Sequence, residues 1–349
     1  MTLIKKTIPR RSSNNSGFNY KNSIDVSAVK AAFDEHFDLL NAIDTLDASE
    51  VLQYCYGIPG IQNAIPLGKV EGGSVSSMYN GVFLGQTEDS KIVPRTLTVY
   101  PIKMEDSDEP ENYRRTYVTE VRGGLYDGGH PFEVWLMEHV LKLASQELLD
   151  VLFTASYDAT KISKTVNASI KYSFNGWGTI IENEKTATTI STTIGNEYAT
   201  GVLTIANIGD KLLEMWRKMP ETYRRKNSMV FMSMDLRDMY VDWYEAKYQY
   251  VAGVGDQESH PVFLRGTNGK VQIVPVYGLP TGSQFVLMTS QSNMAYGFDQ
   301  ESDMKTVLPF PSGNPYQFTM AGKYVFGCQF VSIDKAELCV NDQPLTPAP

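Results

Sequence analysis

The sequence has few of the residues that build disulfide frameworks, metal centres or membrane spans. Its 349 residues include three cysteines and four histidines. Cys55, Cys328 and Cys339 are far apart and odd in number, which argues against a disulfide framework and favours free thiols in a reducing compartment. No two histidines have the spacing of a zinc motif. No apolar run reaches the roughly 18 residues that a membrane span requires. The sequence therefore predicts neither a metal nor a membrane partner.

Catalytic motifs are also lacking. No G-x-S-x-G nucleophile elbow is present. Residues 265–271, RGTNGKV, are similar to a phosphate-binding loop, but the glycine spacing is too short and Val271 stands where Ser or Thr would hold magnesium. The Asn268-Gly269 pair instead favours a turn that leads into a strand. The carboxylates pair with no nucleophile or ligand set. We therefore expect no catalytic, cofactor-binding or metal-binding residues, and no enzyme.

Composition and charge place the chain among globular proteins with a distinct basic start. Hydrophobic residues make up 42%, charged residues 20%, and the formal net charge is -9. This length favours two or three subdomains, and the acidity argues against sequence-reading nucleic-acid binding. Residues 1–24 contain no acid, lack a secretory signal's apolar segment and predict an arm that contacts other subunits. Its cations are Lys5, Lys6, Arg10, Arg11 and Lys21.

The pattern of apolar residues divides the chain into five blocks. Residues 1–65 are the arm and two helices, the first with apolar residues at helical spacing from Val29 to Ile43. Residues 66–125 predict an extended β-hairpin, in which TLTVY (96–100) and RRTYVTEV (114–121) are the strands. The acidic segment between them predicts a solvated tip rather than a calcium loop, because it lacks the EF-hand glycine and distal glutamate. Its proposed contact residues are Glu105, Asp106, Asp108 and Glu109.

Three further blocks follow the predicted hairpin. Residues 126–175 contain a long helix that starts near Pro131, carries an apolar stripe from Met137 to Ala155 and would span roughly 40 Å. Residues 176–300 predict a mixed α/β unit, and residues 301–349 predict returning strands and a tail. In the α/β unit, the predicted helices are NIGDKLLEMWRKMP (207–220) and MDLRDMYVDWYEAK (234–247), the second with Ser233 as its cap, and the predicted strands include SMVFMS (228–233) and KVQIVPV (270–276). The α/β unit contains a stretch without period, 249–270, which includes Gly253, Gly255 and Asp256. Loops this long are usually functional or disordered.

This order of blocks, and several local stretches, resemble one protein family. The stretches are FNGWGTIIENE, KMPETYRRKNSMVFMSMDLRDMYVDWY, KVQIVPVYGLP, NMAYGFDQESD and YVFGCQFVSIDK, which cover roughly residues 170–335. They are similar to major capsid proteins of tailed bacteriophages, as found in phages and prophages of gut bacteria. The N-terminal third is similar in layout only.

The resemblance implies an α+β chain with the Hong Kong 97 fold. That fold has an N-terminal arm, an extended β-hairpin loop, a spine helix, and peripheral and axial domains. It implies that FNGWGTIIENE joins the two domains, that Phe174 and Trp177 pack across the joint, and that Asn175-Gly176 supplies the turn. It also implies that Gly253, Gly255 and Asp256 lie where subunits meet around five-fold and six-fold axes.

The function implied is structural. Copies would form hexamers and pentamers of an icosahedral shell around double-stranded DNA, in a virion whose subunits are made in the host bacterial cytoplasm. The implied partners are other copies, a portal, a scaffolding protein separate from this chain, and decoration proteins. Two alternatives stay open: an encapsulin nanocompartment shell of the same fold, and a small-ligand enzyme built on the α/β unit.

Overall fold

Two β-sheets form the framework of the chain. A computed structural model describes residues 51–71, 91–109, 132–248, 263–300, 308–311 and 317–346. The described helices are α1 (Phe132–Val151), α2 (Trp177–Thr186), α3 (Ile208–Lys218), α4 (Glu221–Arg224) and α5 (Met234–Tyr248). The described strands are β1 (Tyr56–Ile58), β2 (Ala64–Glu71), β3 (Lys91–Thr98), β4 (Tyr100–Asp108), β5 (Glu197–Tyr198), β6 (Ser228–Ser233), β7 (Val271–Val276), β8 (Val286–Thr289), β9 (Met294–Gly297), β10 (Leu308–Pro311), β11 (Phe318–Phe330) and β12 (Leu338–Asn341).

The first sheet is organised around β11, which has 13 residues. Its order is β1-β9-β11-β10, and β4 also pairs with β11. The N-terminal part of β11 runs antiparallel to β4, and its last four residues pair with β9. β11 can pair with β4 along its first part and with β9 along its last part because it is more than twice as long as a typical strand.

The acidic segment 105–108 is part of strand β4, so its prediction as a hairpin tip is wrong for Glu105, Asp106 and Asp108. Glu105 lies opposite Ala321 and Asp106 lies opposite Met320 in the antiparallel register. Buried Ile102 and Met104 alternate with exposed residues, as expected of a strand. The strand continues into the acidic residues, where the lack of apolar side chains hides this alternation from sequence analysis. Glu109 is exposed and follows the strand directly.

A separate two-stranded ribbon is formed by β2 and β3. They run antiparallel from Ala64 opposite Thr98 to Glu71 opposite Lys91. Residues 96–98 pair with β2. The partner that the sequence predicts for them, residues 114–121, lies outside the described residues. The base of the ribbon packs on a small cluster that includes Leu67, Leu97 and Ala295.

The second sheet has the order β5-β12-β8-β6-β7 and both faces covered. One face, with Val230 and Met288, packs against α3 and α5. The other face, with Phe231 and Leu287, packs into the core that contains α1 and α2. The predicted boundary at residue 300 does not separate the sheets, since β9 pairs in the first sheet and β12 in the second. The composition of each sheet is determined by hydrogen bonds between distant strands, and not by the order of the strands along the chain.

Several predicted elements are present. α3, β6, α5 and β7 coincide with predicted segments, and Ser233 Oγ accepts the Leu236 N–H at 3.3 Å as the cap of α5. Asn268 and Gly269 have φ of 56° and 71° and form the predicted turn before β7. α1 ends at Val151, earlier than predicted, so its 20 residues span about 30 Å and not 40 Å.

Candidate assembly site

The predicted joint residues Phe174 and Trp177 are both fully buried. The Phe174 ring packs edge-on against Phe326 of β11, with centroids 5.2 Å apart. The Trp177 ring lies 5.8 Å from Phe153, which in turn lies 6.0 Å from Phe231 of β6. Phe326 belongs to the first sheet and Phe231 to the second. The aromatic residues of this segment therefore lie between the two sheets, while their role as a domain joint stays a prediction.

The start of α2 is hydrogen-bonded to the chain just after α1. The N–H groups of Gly176, Trp177 and Thr179 donate to the carbonyls of Ala155, Leu152 and Phe153 at 2.9, 3.0 and 3.1 Å. The first N–H groups and last carbonyls of helices lack partners inside their own helix. This segment satisfies N–H groups at the start of α2 with carbonyls beyond the end of α1, which explains why α1 stops there.

A glycine is required at position 176 because a side chain would not fit there. Its φ of −73° and ψ of 162° are open to any residue, so the position does not need glycine's conformational freedom, and the Asn175-Gly176 turn stays a prediction. A Cβ at this position would lie 2.4 Å from the carbonyl oxygen of Leu152. Asn175 acts differently, since its Oδ1 accepts the Tyr157 N–H at 2.9 Å. The pair thus fixes the approach of α2 to the residues after α1.

Ion pairs attach the β2–β3 ribbon to the rest of the subunit. Lys69 of β2 donates to Glu337 Oε1 at 2.6 Å, and Lys226 donates to the same oxygen at 2.6 Å. Arg95 of β3 donates to Glu184 of α2 at 2.7 Å. Register places Arg95 opposite Leu67 and Lys69 opposite Val93, so both cations lie on one face of the ribbon. Sequence reasoning missed these contacts, because no local pattern links partners 268 and 89 residues apart.

The charge on Glu337 is favoured by its partners. Burial, the largest single influence, raises the pKa of this carboxyl, but hydrogen bonds from Lys226 and Lys69 lower it further, so its pKa lies below the ordinary value. The residue is 5% exposed. A buried carboxylate without partners would be costly, and the two ammonium groups remove that cost. Glu337 therefore connects the ribbon, the turn before β6 and the start of β12.

A groove of about 890 Å³ lies between α1, β4 and residues 157–173, and we name it the α1 groove. Ile102, Met104 and Val140 are its buried floor. On its rim Lys103 donates to Glu105 at 2.8 Å and to Asn167 at 2.7 Å. Glu105 and Asp106 of β4 therefore border a concave surface and do not lie in a separate loop.

All three cysteines lie among the described residues and are buried. Burial raises the pKa of the thiols of Cys55, Cys328 and Cys339, the last to about 12, which keeps them protonated and poorly nucleophilic. No group of three or more His, Cys, Asp or Glu in the described ranges could hold a metal ion. No helix in that part of the chain is long and apolar enough to cross a membrane.

The other predicted contact residues have no described position. Seven of them lie outside the described residues, and their roles stay predictions. They are Lys5, Lys6, Arg10, Arg11, Gly253, Gly255 and Asp256.

Comparison with known proteins identifies the fold. No protein-family profile matches the sequence, and no curated protein matches it. Solved structures do: a chain of the satellite phage P4 procapsid, which includes the size determination protein Sid, matches with a TM-score of 0.53 and 15% identity over 87% of this chain and 97% of that chain. The capsid of an empty GTA particle matches with a TM-score of 0.50 and 11% identity over 86% and 97%. The chain therefore has a mixed helix and sheet fold of the kind found in phage capsids.

Proposed function

We propose that this chain is a structural subunit of a phage capsid, with the Hong Kong 97 type of organisation. The observation that carries the proposal is the fold match to the P4 procapsid chain, which extends over 87% of this chain and 97% of that one. Agreement over nearly whole chains supports a shared architecture rather than a shared motif. Since a fold alone does not determine function, the test must be assembly itself.

The two sheets fit the two domains of that organisation. The first sheet with α1 corresponds to the peripheral domain, and the second sheet with α3 and α5 corresponds to the axial domain. The β2–β3 ribbon corresponds to the extended loop, because an isolated two-stranded ribbon is marginal in water and gains from lying on another surface. Phe174, Gly176 and Trp177 then form the joint between the domains.

The proposed partners follow from this role. Subunits form hexamers and pentamers of an icosahedral shell in the virion, after synthesis in the host bacterial cytoplasm. The shell encloses double-stranded DNA without reading its sequence, and it contacts a portal, a scaffolding protein and decoration proteins. The basic residues 1–24 supply contacts with DNA or with neighbouring subunits, which should weaken strongly with salt. No catalytic activity is part of this function.

Assembly is tested by expressing the chain, alone and together with a scaffolding protein from its natural source, and imaging the product by negative-stain electron microscopy. We expect closed, uniform shells. A stable monomer under these conditions, above all one with enzymatic turnover, would contradict the proposal. Shells that contain a cargo protein in place of DNA when isolated from the natural source would point to a nanocompartment.

A further inference from the structure

The α1 groove exposes apolar side chains that nothing among the described residues covers. Ile162 is 75% exposed, Val166 is 68% exposed and Leu143 is 46% exposed, and all three line the groove. The buried floor continues into the main core. Exposed aliphatic residues grouped along one concave surface mark a docking site more often than scattered ones do. The groove therefore has the shape and surface of a binding site for a short segment.

The rim of the groove is acidic. Two lysines, Lys103 and Lys161, lie among its described lining residues. Five carboxylates accompany them: Glu105, Asp106, Glu147, Asp150 and Asp158. An occupant that combines aliphatic residues with an excess of positive charge would satisfy both the floor and the rim. An acidic occupant would be repelled.

We propose that the α1 groove binds residues 3–11 of its own chain in the unassembled subunit. This segment, LIKKTIPRR, contains three aliphatic residues, four cations and no acid. Its proline argues against a helix through the middle and favours an extended segment. The adjacent candidate, residues 25–45, has a suitable apolar stripe but carries more acids than bases, so the acidic rim disfavours it.

The covalent link between residues 3–11 and the rest of the subunit favours binding within one chain over binding to another copy. Thirty-nine residues, 12–50, connect the segment to Val51, which is buried in the core that continues beneath the groove. With the predicted helix over residues 29–43, the other 24 residues of this tether still reach well over the ~30 Å length of α1 when extended. Such a tether gives an effective concentration on the order of 1 mM, far above that of a dilute subunit. The docked segment would cover the apolar surface until neighbouring subunits compete for it.

The test uses chemical cross-linking of the full chain at high dilution. A Thr7→Cys, Ser163→Cys variant places one thiol in the segment and one beside the groove, while the natural cysteines are buried. We expect a short bismaleimide to give an intrachain cross-link several-fold faster than in a Thr7→Cys, Thr204→Cys control. High salt, and an excess of unlabelled peptide of residues 1–14, should each lower the yield.

Matched substitutions distinguish binding in the α1 groove from nonspecific apolar contact. Ile162→Asp with Val166→Asp should lower the cross-linking rate at residue 163 about tenfold, because two aliphatic side chains that the docked segment would cover are lost. Ile194→Asp with Val202→Asp, which alters similarly exposed residues outside the groove, should leave the rate unchanged. Circular dichroism checks that all variants are folded.

Three results would overturn the proposal. Equal rates at residues 163 and 204 would mean that the segment does not prefer the groove. Equal effects of the two aspartate pairs would remove the apolar floor from the interaction. Cross-linking that occurs only between singly substituted chains in a mixture would identify a second copy as the occupant. Each result is obtained with unassembled protein, so it is independent of whether shells form.

Discussion

The ammonium of Lys69 and the carboxylate of Glu337 lie 2.6 Å apart although 268 residues separate them in the sequence. Lys226 donates to the same oxygen. The three residues come from the ribbon, the turn before β6 and the start of β12. This contact holds the ribbon on the subunit together with the Arg95–Glu184 ion pair and the apolar cluster at the base of the ribbon.

Replacing Glu337 by Gln should destabilise the subunit at pH 7 by about 1–3 kcal/mol, because two charge-assisted hydrogen bonds are lost around a buried group. Urea unfolding followed by circular dichroism measures the change. Glu214→Gln is the control, since Glu214 pairs with Lys211 on an exposed helix face, and we expect almost no change there. Equal effects of both substitutions would contradict a special role for Glu337.

The same variant predicts a pH dependence. The folded pKa of Glu337 lies below its ordinary value, so its stabilising contribution is complete above the unfolded carboxyl pKa of about 4.3 and is lost as the pH falls through the folded pKa. The stability difference between natural protein and Glu337→Gln should therefore shrink on acidification. Unfolding free energies at about pH 7 and about pH 3 measure it. A difference that persists at the acidic pH would mean that Lys69 and Lys226 do not favour the ionised form.

Local patterns predict much of the α/β unit. The strand over residues 271–276 and the Ser233 cap of α5 are indicated by neighbours in sequence, and both are present. Strand partners are not local, which is why the sequence places residues 105–108 in a loop: their strand partner, β11, starts more than 200 residues later. The same reason hides the Lys69–Glu337 contact. Burial of Phe174 and Trp177 agrees with their expected packing, whereas the role of Gly176 depends on a carbonyl that sequence spacing cannot locate.

Gly176→Ala should destabilise the fold by about 3 kcal/mol, because the added Cβ would meet the Leu152 carbonyl, which cannot rotate away. Thermal unfolding measures the effect. Gly201→Ala separates this clash from a conformational penalty, since Gly201 has a φ of 62° and a Cβ added there would have no atom within 4 Å. We expect about 1 kcal/mol there. If Gly176→Ala were the milder of the two, the close approach of α2 would be wrong.

Phe174→Ala should cost about 3–5 kcal/mol, as is typical for a fully buried aromatic residue. The loss removes the contact between the segment that precedes α2 and Phe326 of the first sheet. Phe263→Ala is the matched control, because that ring is 47% exposed, and it should change stability by no more than about 0.5 kcal/mol. Similar values for both would show that Phe174 does not anchor this segment.

Glu105→Lys should alter assembly and leave the fold nearly unchanged. The carboxylate is exposed on β4 and contacts Lys103 and Asn167, so stability should change by less than about 1 kcal/mol. An interface at this edge would respond to the charge through rate and specificity. Light scattering during assembly is the measurement, with Glu221→Lys as an exposed control. Unchanged assembly kinetics would exclude Glu105 from the interfaces.

Removing residues 253–259 should leave a folded subunit that closes rings incorrectly. These residues lie outside the described part of the chain, but their flanks are fixed: the Arg265 guanidinium lies 3.3 Å from the Tyr248 ring centroid, a cation–π contact that brings both ends together. Nine residues would remain between these two, which is enough to join them without strain. Deletion should therefore spare α5 and β7.

The expected defect arises because one segment must serve both five-fold and six-fold rings. Gly253 and Gly255 permit more backbone conformations than other residues, and Asp256 can face either solvent or a neighbour. Without them we expect folded subunits that fail to form closed shells, or shells of altered diameter, by electron microscopy. Circular dichroism and unfolding of the same preparation establish that the subunit is intact. Shells of natural size, with this segment directed away from every symmetry axis, would place the axial contacts elsewhere on the second sheet.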